Sequence, residues 1–128
     1  MQAIYVDLTS KEDFQILEDS ICILEIYEDF EESLIRRLVD FLLYNGCRTF
    51  YFLGDKKKEW RDIFHDEDDK VSDPTDSDVA ISLVMDSYDD ILSDFELLEE
   101  GEKDHGVMVF YDREQSRDNI QKYIVDKA

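Results

Sequence analysis

The chain has 128 residues, of which 34 are acidic and 14 are basic, so its formal net charge near neutral pH is -20. A content of 43% apolar and 12% aromatic residues is enough for a folded core and argues against a disordered chain. The acid excess excludes direct binding of nucleic acid, because phosphate contacts require clustered lysine and arginine.

Five runs rich in branched and aromatic residues predict β-strands. They cover residues 4–8, 21–27, 48–53, 79–84 and 107–111. Segments with helical spacing lie between and after them, and this alternation predicts an α/β fold. We expect a three-layer sandwich with a mostly parallel central sheet of four to five strands and helices on both faces. Residues 1–128 are interpreted as a single domain, and the pattern leaves the order of the strands open.

Apolar side chains that recur every three or four residues predict five helices. Their expected buried stripes are, in chain order, Phe14 and Leu17; Phe30, Leu34, Leu38, Phe41 and Leu42; Trp60, Ile63 and Phe64; Tyr88, Ile91, Leu92, Phe95 and Leu98; and Ile120, Tyr123 and Ile124. Thr9 or Ser10 is placed to cap the first helix. Asn45 and Gly46 are typical of a left-handed end for the second.

Three quarters of the net charge lies in one stretch of the chain. Residues 62–104 hold 17 acids and 2 bases, whereas residues 105–128 hold 4 of each. Within this stretch, residues 65–78 have no apolar periodicity apart from Val71, which predicts a mobile acidic loop. The loop lacks the glycine and the closing glutamate of an EF-hand, so no dedicated calcium or other metal site is expected.

Aspartates lie at the carboxyl ends of four of the predicted strands: Asp7, Asp55, Asp86 and Asp112. Ligands of open parallel sheets bind at the carboxyl ends of the strands, so this set resembles the acidic pocket of a Mg²⁺-dependent, phosphoryl-accepting receiver domain. The last strand lacks a following lysine and the first lacks an adjacent acidic pair. Both departures favour helix capping by Asp86 and Asp112 instead.

The sequence carries no recognisable enzyme or cofactor motif. His65 and His105 do not pair with each other or with a cysteine at a metal or triad spacing, and glycine-rich phosphate loops are absent. Cys22 and Cys47 lie in apolar runs and are expected to be buried, reduced thiols. Because no signal-peptide pattern and no run long enough to span a bilayer is present, we expect a cytoplasmic protein with no membrane association.

Gly46-Cys47-Arg48, an aromatic strand at 49–53, Gly54 and the pair Trp60-x-Asp62 follow one another along the chain. This order resembles a family of small, uncharacterised bacterial α/β domains over about residues 21–112. Size, acidity and α/β pattern are also similar to the immunity proteins of bacterial contact-dependent growth inhibition systems. The second resemblance implies an inhibitor that binds the nuclease domain of a cognate toxin and blocks its active site.

We therefore expect a basic protein partner, a nuclease toxin domain, that meets an acidic surface. Trp60 is flanked by charged residues, so it is expected to be partly exposed and to anchor the contact. The predicted contact residues are Trp60, Asp66, Glu67, Asp68, Asp69, Asp73, Asp76, Asp78, Asp89 and Asp90. The same charge also fits a nucleic-acid mimic that inhibits a DNA- or RNA-binding protein, or an acidity that only favours solubility.

Overall fold

The structure, a computed structural model, describes residues 3–9, 20–47, 49–71, 81–86, 90 and 106–118. Its strands and long helices are β1 (Ala3–Asp7), β2 (Ile21–Glu25), α1 (Glu32–Tyr44), β3 (Thr49–Leu53), α2 (Lys57–Val71), β4 (Ile81–Val84) and β5 (Val107–Tyr111). Residues 114–118 are also helical. The predicted stripes that begin at Phe14, Tyr88 and Ile120 fall outside the described residues. None of the helices in these ranges has the length and apolar character needed to cross a bilayer.

The five strands form one parallel sheet in the order β1-β5-β2-β3-β4, which confirms the predicted α/β fold. Ile21 of β2 lies opposite Thr49 of β3 on one side and opposite Val107 of β5 on the other. The last of the described strands, β5, therefore inserts between the first two. β5 is buried over its whole length, which explains its continuous apolar sequence.

Both faces of the sheet are covered, as a three-layer fold requires. On one face, strand residues such as Leu24 and Phe52 pack against α1 and α2. Phe64 of α2 lies at the centre of this packing, with its ring 5.0 Å from the rings of both Phe50 and Phe52. The opposite face buries a second set of side chains, namely Ile21, Ile23, Tyr51, Leu53, Val107 and Val109.

Helix α1 buries a different stripe from the predicted one. Its buried side chains are Ile35, Leu38, Val39, Leu42 and Leu43. Leu34 is 46% exposed and Phe41 is 62% exposed, so the prediction that these two face the core is wrong. Leu38 and Leu42 belong to both the predicted and the observed stripe. Periodicity alone does not decide whether Leu34 and Phe41 or Ile35 and Val39 accompany them in the core.

Two glycines with positive φ set the turns around β3. Gly46, with φ 85, ends α1 beside Asn45, whose backbone N–H and side-chain amide both donate to the Phe41 carbonyl. This confirms the predicted helix end. Gly54, with φ 90, lies so close to β2 that an added Cβ would stand 2.4 Å from the carbonyl oxygen of Ile26. Only glycine allows the connection from β3 to α2 to pass this close.

The two cysteines are free and buried, as predicted. Ser20 Oγ lies 3.3 Å from Cys47 Sγ and 4.0 Å from Cys22 Sγ, so one hydroxyl is within hydrogen-bonding distance of both thiols. Burial, and after it the neighbouring Cys47, raises the pKa of the Cys22 thiol well above its ordinary value. Cys22 is therefore kept protonated and unreactive in the core.

Candidate interaction surface

Trp60 lies in the core and not on the surface. It is 2% exposed, and its ring meets Phe30 edge-on at a centroid distance of 5.8 Å and stacks with Phe64 at 6.2 Å. The prediction that Trp60 is partly exposed and anchors a partner is therefore wrong. The residues beside it in sequence are charged, but on a helix they point in other directions and leave Trp60 facing the sheet.

Residues 65–71, predicted as the start of an acidic loop, continue helix α2. Two pairs at helical spacing support this part: His65 Nε2 lies 3.6 Å from Asp69 Oδ2, and Lys70 Nζ lies 3.2 Å from Asp66 Oδ2. The loop prediction is wrong here, because the helix continues through a segment in which apolar periodicity is missing. Residues 72–78 lie outside the described residues.

Arg36 of α1 joins the two helices through two carboxylates of α2. Its Nη1 atom lies 2.8 Å from Asp66 Oδ2 and 2.7 Å from Glu67 Oε1. The side chain of Glu67 is only 9% exposed, and that of Arg36 is 26% exposed. Hydrogen bonds from Arg36 are the main cause that lowers the pKa of both carboxyls, so both are ionised at neutral pH.

The predicted contact residues on α2 do not form one exposed surface. Glu67 is 7% exposed and Asp68 is 3% exposed, so their burial contradicts a place on a contact surface. The side chains of Asp66 and Asp69 are 52% and 67% exposed, and Asp90 is exposed as well. The remaining predicted contact residues, Asp73, Asp76, Asp78 and Asp89, lie outside the described residues.

The exposed acids of α2 follow one side of the helix. We call Glu59, Asp62, Asp66 and Asp69 the acidic stripe, since intervals of three and four residues bring them into line. Asp62 lies 3.0 Å from Arg61, while Asp66 and Asp69 have the partners described above. The pairs of Asp62 and Asp69 are exposed and add little to stability, so cations of another protein can replace their internal partners at low cost.

The aspartates that follow the strands do not converge on one pocket. Asp7 accepts the N–H and the hydroxyl of Thr9 at 2.9 and 2.6 Å, and Asp86 pairs with Lys57 Nζ at 3.0 Å. Asp55 is exposed in the turn before α2. Among the described residues, no three His, Cys, Asp or Glu side chains are placed to hold a metal ion. The phosphoacceptor alternative therefore finds no converging ligands in this part of the chain.

Asp112 bridges to another loop and does not cap the helix that follows it. Its Oδ2 atom accepts the backbone N–H groups of Tyr27 and Glu28 at 2.8 and 2.7 Å, whereas its Oδ1 atom is buried without a hydrogen bond. The predicted capping role is wrong. Because β5 lies beside β2, the end of β5 faces the loop that leads to α1.

Tyr27 forms a second link at the same edge, which the sequence analysis does not identify. Its hydroxyl donates to Glu25 Oε1 at 2.6 Å, and the guanidinium of Arg113 lies 4.3 Å from its ring centroid. Partial burial and the neighbouring Glu25 raise the pKa of Tyr27, so the phenol remains protonated and keeps this hydrogen bond. The pairing of β2 with β5 brings Arg113 to this ring, whereas Glu25 and Tyr27 are neighbours at the end of β2.

Helix α1 exposes three large apolar side chains. Leu34 is 46%, Phe41 62% and Tyr44 89% exposed, and intervals of seven and three residues place them along one side of the helix. We call these three residues the apolar stripe. The sequence signal that points to it is a competing apolar set, Ile35, Val39 and Leu43, which recurs every four residues and is buried in the structure.

No protein-family model, no curated protein and no solved structure matches this chain. Its surface is therefore interpreted from its own charge and exposure.

Proposed function

We propose that this chain is an immunity protein that binds and neutralises a bacterial toxin, a nuclease, by covering its basic active-site cleft. The observation that carries the proposal is the formal net charge of -20, of which most lies in residues 62–104. A nuclease cleft must be basic because it receives phosphates. A protein that presents carboxylates in their place can occupy that cleft.

The charge has an energetic cost that a partner removes. Carboxylates that lie within a Debye length of about 8 Å repel one another and destabilise the fold. A cationic surface converts this repulsion into attraction and also speeds the encounter, with association rates of up to about 10⁸ M⁻¹s⁻¹ at low salt. The acidic stripe on α2 is the described surface that suits this role, since its four side chains are exposed.

The decisive experiment uses the product of the neighbouring gene, which this proposal expects to be a nuclease toxin domain. We expect the protein to bind this domain, to inhibit its nuclease activity and to rescue cells that express it. The double substitution Asp62→Asn/Asp69→Asn is expected to slow association about tenfold at low salt and to reduce its dependence on salt. Asp62 and Asp69 are chosen because neither contacts Arg36, so the link between the helices is kept.

A matched control removes two charges elsewhere. Asp55 and Asp118 are exposed and lie outside the acidic stripe, so Asp55→Asn/Asp118→Asn should leave the association rate much closer to that of the parent protein. Equal effects of the two double variants would show a general effect of net charge. Failure to bind the toxin domain, together with competition against duplex DNA for another protein, would favour the nucleic-acid mimic.

A further inference from the structure

We propose that the apolar stripe of α1, Leu34, Phe41 and Tyr44, is the anchor by which this chain docks onto its basic protein partner. This inference rests on the proposed function and deepens it. It names the surface that makes the complex tight, whereas the acidic charge makes association fast. Interface energy concentrates in a few large, often aromatic, side chains that become fully buried, and rim charges contribute mostly to the encounter.

Packing among the described residues does not explain the exposure of the stripe. Helix α1 already fills its place in the core with Ile35, Leu38, Val39, Leu42 and Leu43. Phe41 and Tyr44 are 62% and 89% exposed, so folding gains little from either ring. Two such rings within one turn of helix, with a leucine on the same side, form an apolar patch of the kind that marks interaction sites.

The patch is held rigidly. The Phe41 carbonyl accepts the Asn45 backbone N–H at 3.2 Å and the Asn45 side-chain amide at 2.8 Å, and Cys47 N–H donates to the Leu42 carbonyl at 3.0 Å. These bonds fix the last turn of α1, on which Phe41 and Tyr44 stand. Binding therefore needs little ordering of the backbone, which lowers the entropic cost of association.

Charge decides which kind of molecule covers the patch. A second copy would bring another formal charge of -20 against the first, which opposes self-association. A basic protein is attracted by the same field. The exposed charges close to the stripe in sequence are three acids, Glu31, Glu32 and Asp40, and one base, Arg37. The net charge of the chain thus favours a cationic partner that offers an apolar pocket to the stripe.

The test compares variants for binding to the product of the neighbouring gene, the expected toxin domain. Phe41→Ala/Tyr44→Ala is expected to weaken binding at least about tenfold by accelerating dissociation, with the salt dependence of association unchanged. Leu83→Ala removes an apolar side chain of β4 that is 37% exposed, and it should leave affinity unchanged. Urea unfolding of each variant separates a loss of docking from a loss of fold.

The outcomes distinguish this inference from the proposed function. If the parent protein does not bind the toxin domain, both are overturned. If it binds, and Phe41→Ala/Tyr44→Ala binds equally well, the inference on α1 is overturned and the proposed function stands. A parent protein that dimerises in sedimentation experiments, with a monomeric Phe41→Ala/Tyr44→Ala variant, would assign the stripe to a second copy and would also overturn the inference.

Discussion

Arg36 and Glu67 hold the two helices together, with Nη1 of the arginine 2.7 Å from Oε1 of the glutamate. The same guanidinium nitrogen binds Asp66 at 2.8 Å, and Arg36 Nε lies 3.5 Å from Glu32. One basic side chain of α1 is thus shared among three carboxylates. Some carboxylates of α2 therefore pair within the protein and stabilise the contact between the helices.

This link predicts a pH-dependent effect of Arg36→Met. Arg36 lowers the folded-state pKa of Asp66 and Glu67, so their contribution is present above the unfolded values of about 4 and is lost as pH falls through the folded values. We expect the variant to have a lower urea midpoint than the parent at pH 7, with a difference that shrinks below about pH 4. Arg37→Met, at an exposed neighbouring position, is the control. A difference that is constant from pH 7 to pH 3 would contradict this assignment.

Replacement of Asp40 is expected to change stability in the opposite direction to replacement of Arg36. Partial desolvation, and after it the hydrogen bond with Glu67, raises the pKa of Asp40, so its ionised form is penalised in the folded protein. Asp40→Asn should therefore stabilise the protein at pH 7, by less than about 1 kcal/mol because solvent screens this exposed group. The gain should fade as pH falls and Asp40 takes up its proton. Asp62→Asn, which removes a carboxylate paired with Arg61, should bring no gain in the same urea titrations.

Asp112 supplies a test of the edge where β5 meets β2. Asp112→Ala leaves the N–H groups of Tyr27 and Glu28 without their acceptor, and we expect a loss of about 2–3 kcal/mol in the free energy of unfolding. Asp112→Asn keeps an oxygen that can accept both bonds and should retain more stability than the alanine variant. If alanine and asparagine destabilise equally, the two N–H bonds do not account for the stability of this edge.

Gly54 tests the close passage between β3 and β2. Gly54→Ala places a methyl group against the Ile26 carbonyl, at a backbone angle that alanine rarely adopts, and should cost about 2 kcal/mol or more. Asp55→Ala, at the next and exposed position, should cost much less. Chemical denaturation measures both. A tolerated alanine at position 54 would mean that the turn relaxes away from β2.

The strands were predictable from sequence because buried parallel strands are apolar at successive positions, as in Ile21–Glu25 and Val107–Tyr111. The strand order was not, because β5 pairs with residues about 85 positions away in the chain and no local pattern records such a pairing. The role of Asp112 depends on that order, which is why its position after a strand suggested a cap instead.

The candidate surface was harder to predict than the fold, since it depends on how each helix is turned. Trp60 has charged neighbours in sequence, and its burial follows from the face that α2 presents to the sheet. Asp66 and Glu67 lie in a segment without apolar spacing, and their helical structure involves Arg36, 30 residues earlier. The total charge was readable from the sequence, whereas the distinction between paired and exposed carboxylates required the structure.

Because Trp60 is enclosed between Phe30 and Phe64, its intrinsic fluorescence reports on the packing of this part of the core. Since the chain has no other tryptophan, its fluorescence emission monitors whether α2 remains seated on the sheet. A molecule that attaches to the outside of α1 or α2 leaves the surroundings of this indole unchanged, whereas unfolding exposes the indole to water and shifts its emission to longer wavelengths. Integrity of the fold can thus be followed during a titration, through a signal that is separate from complex formation.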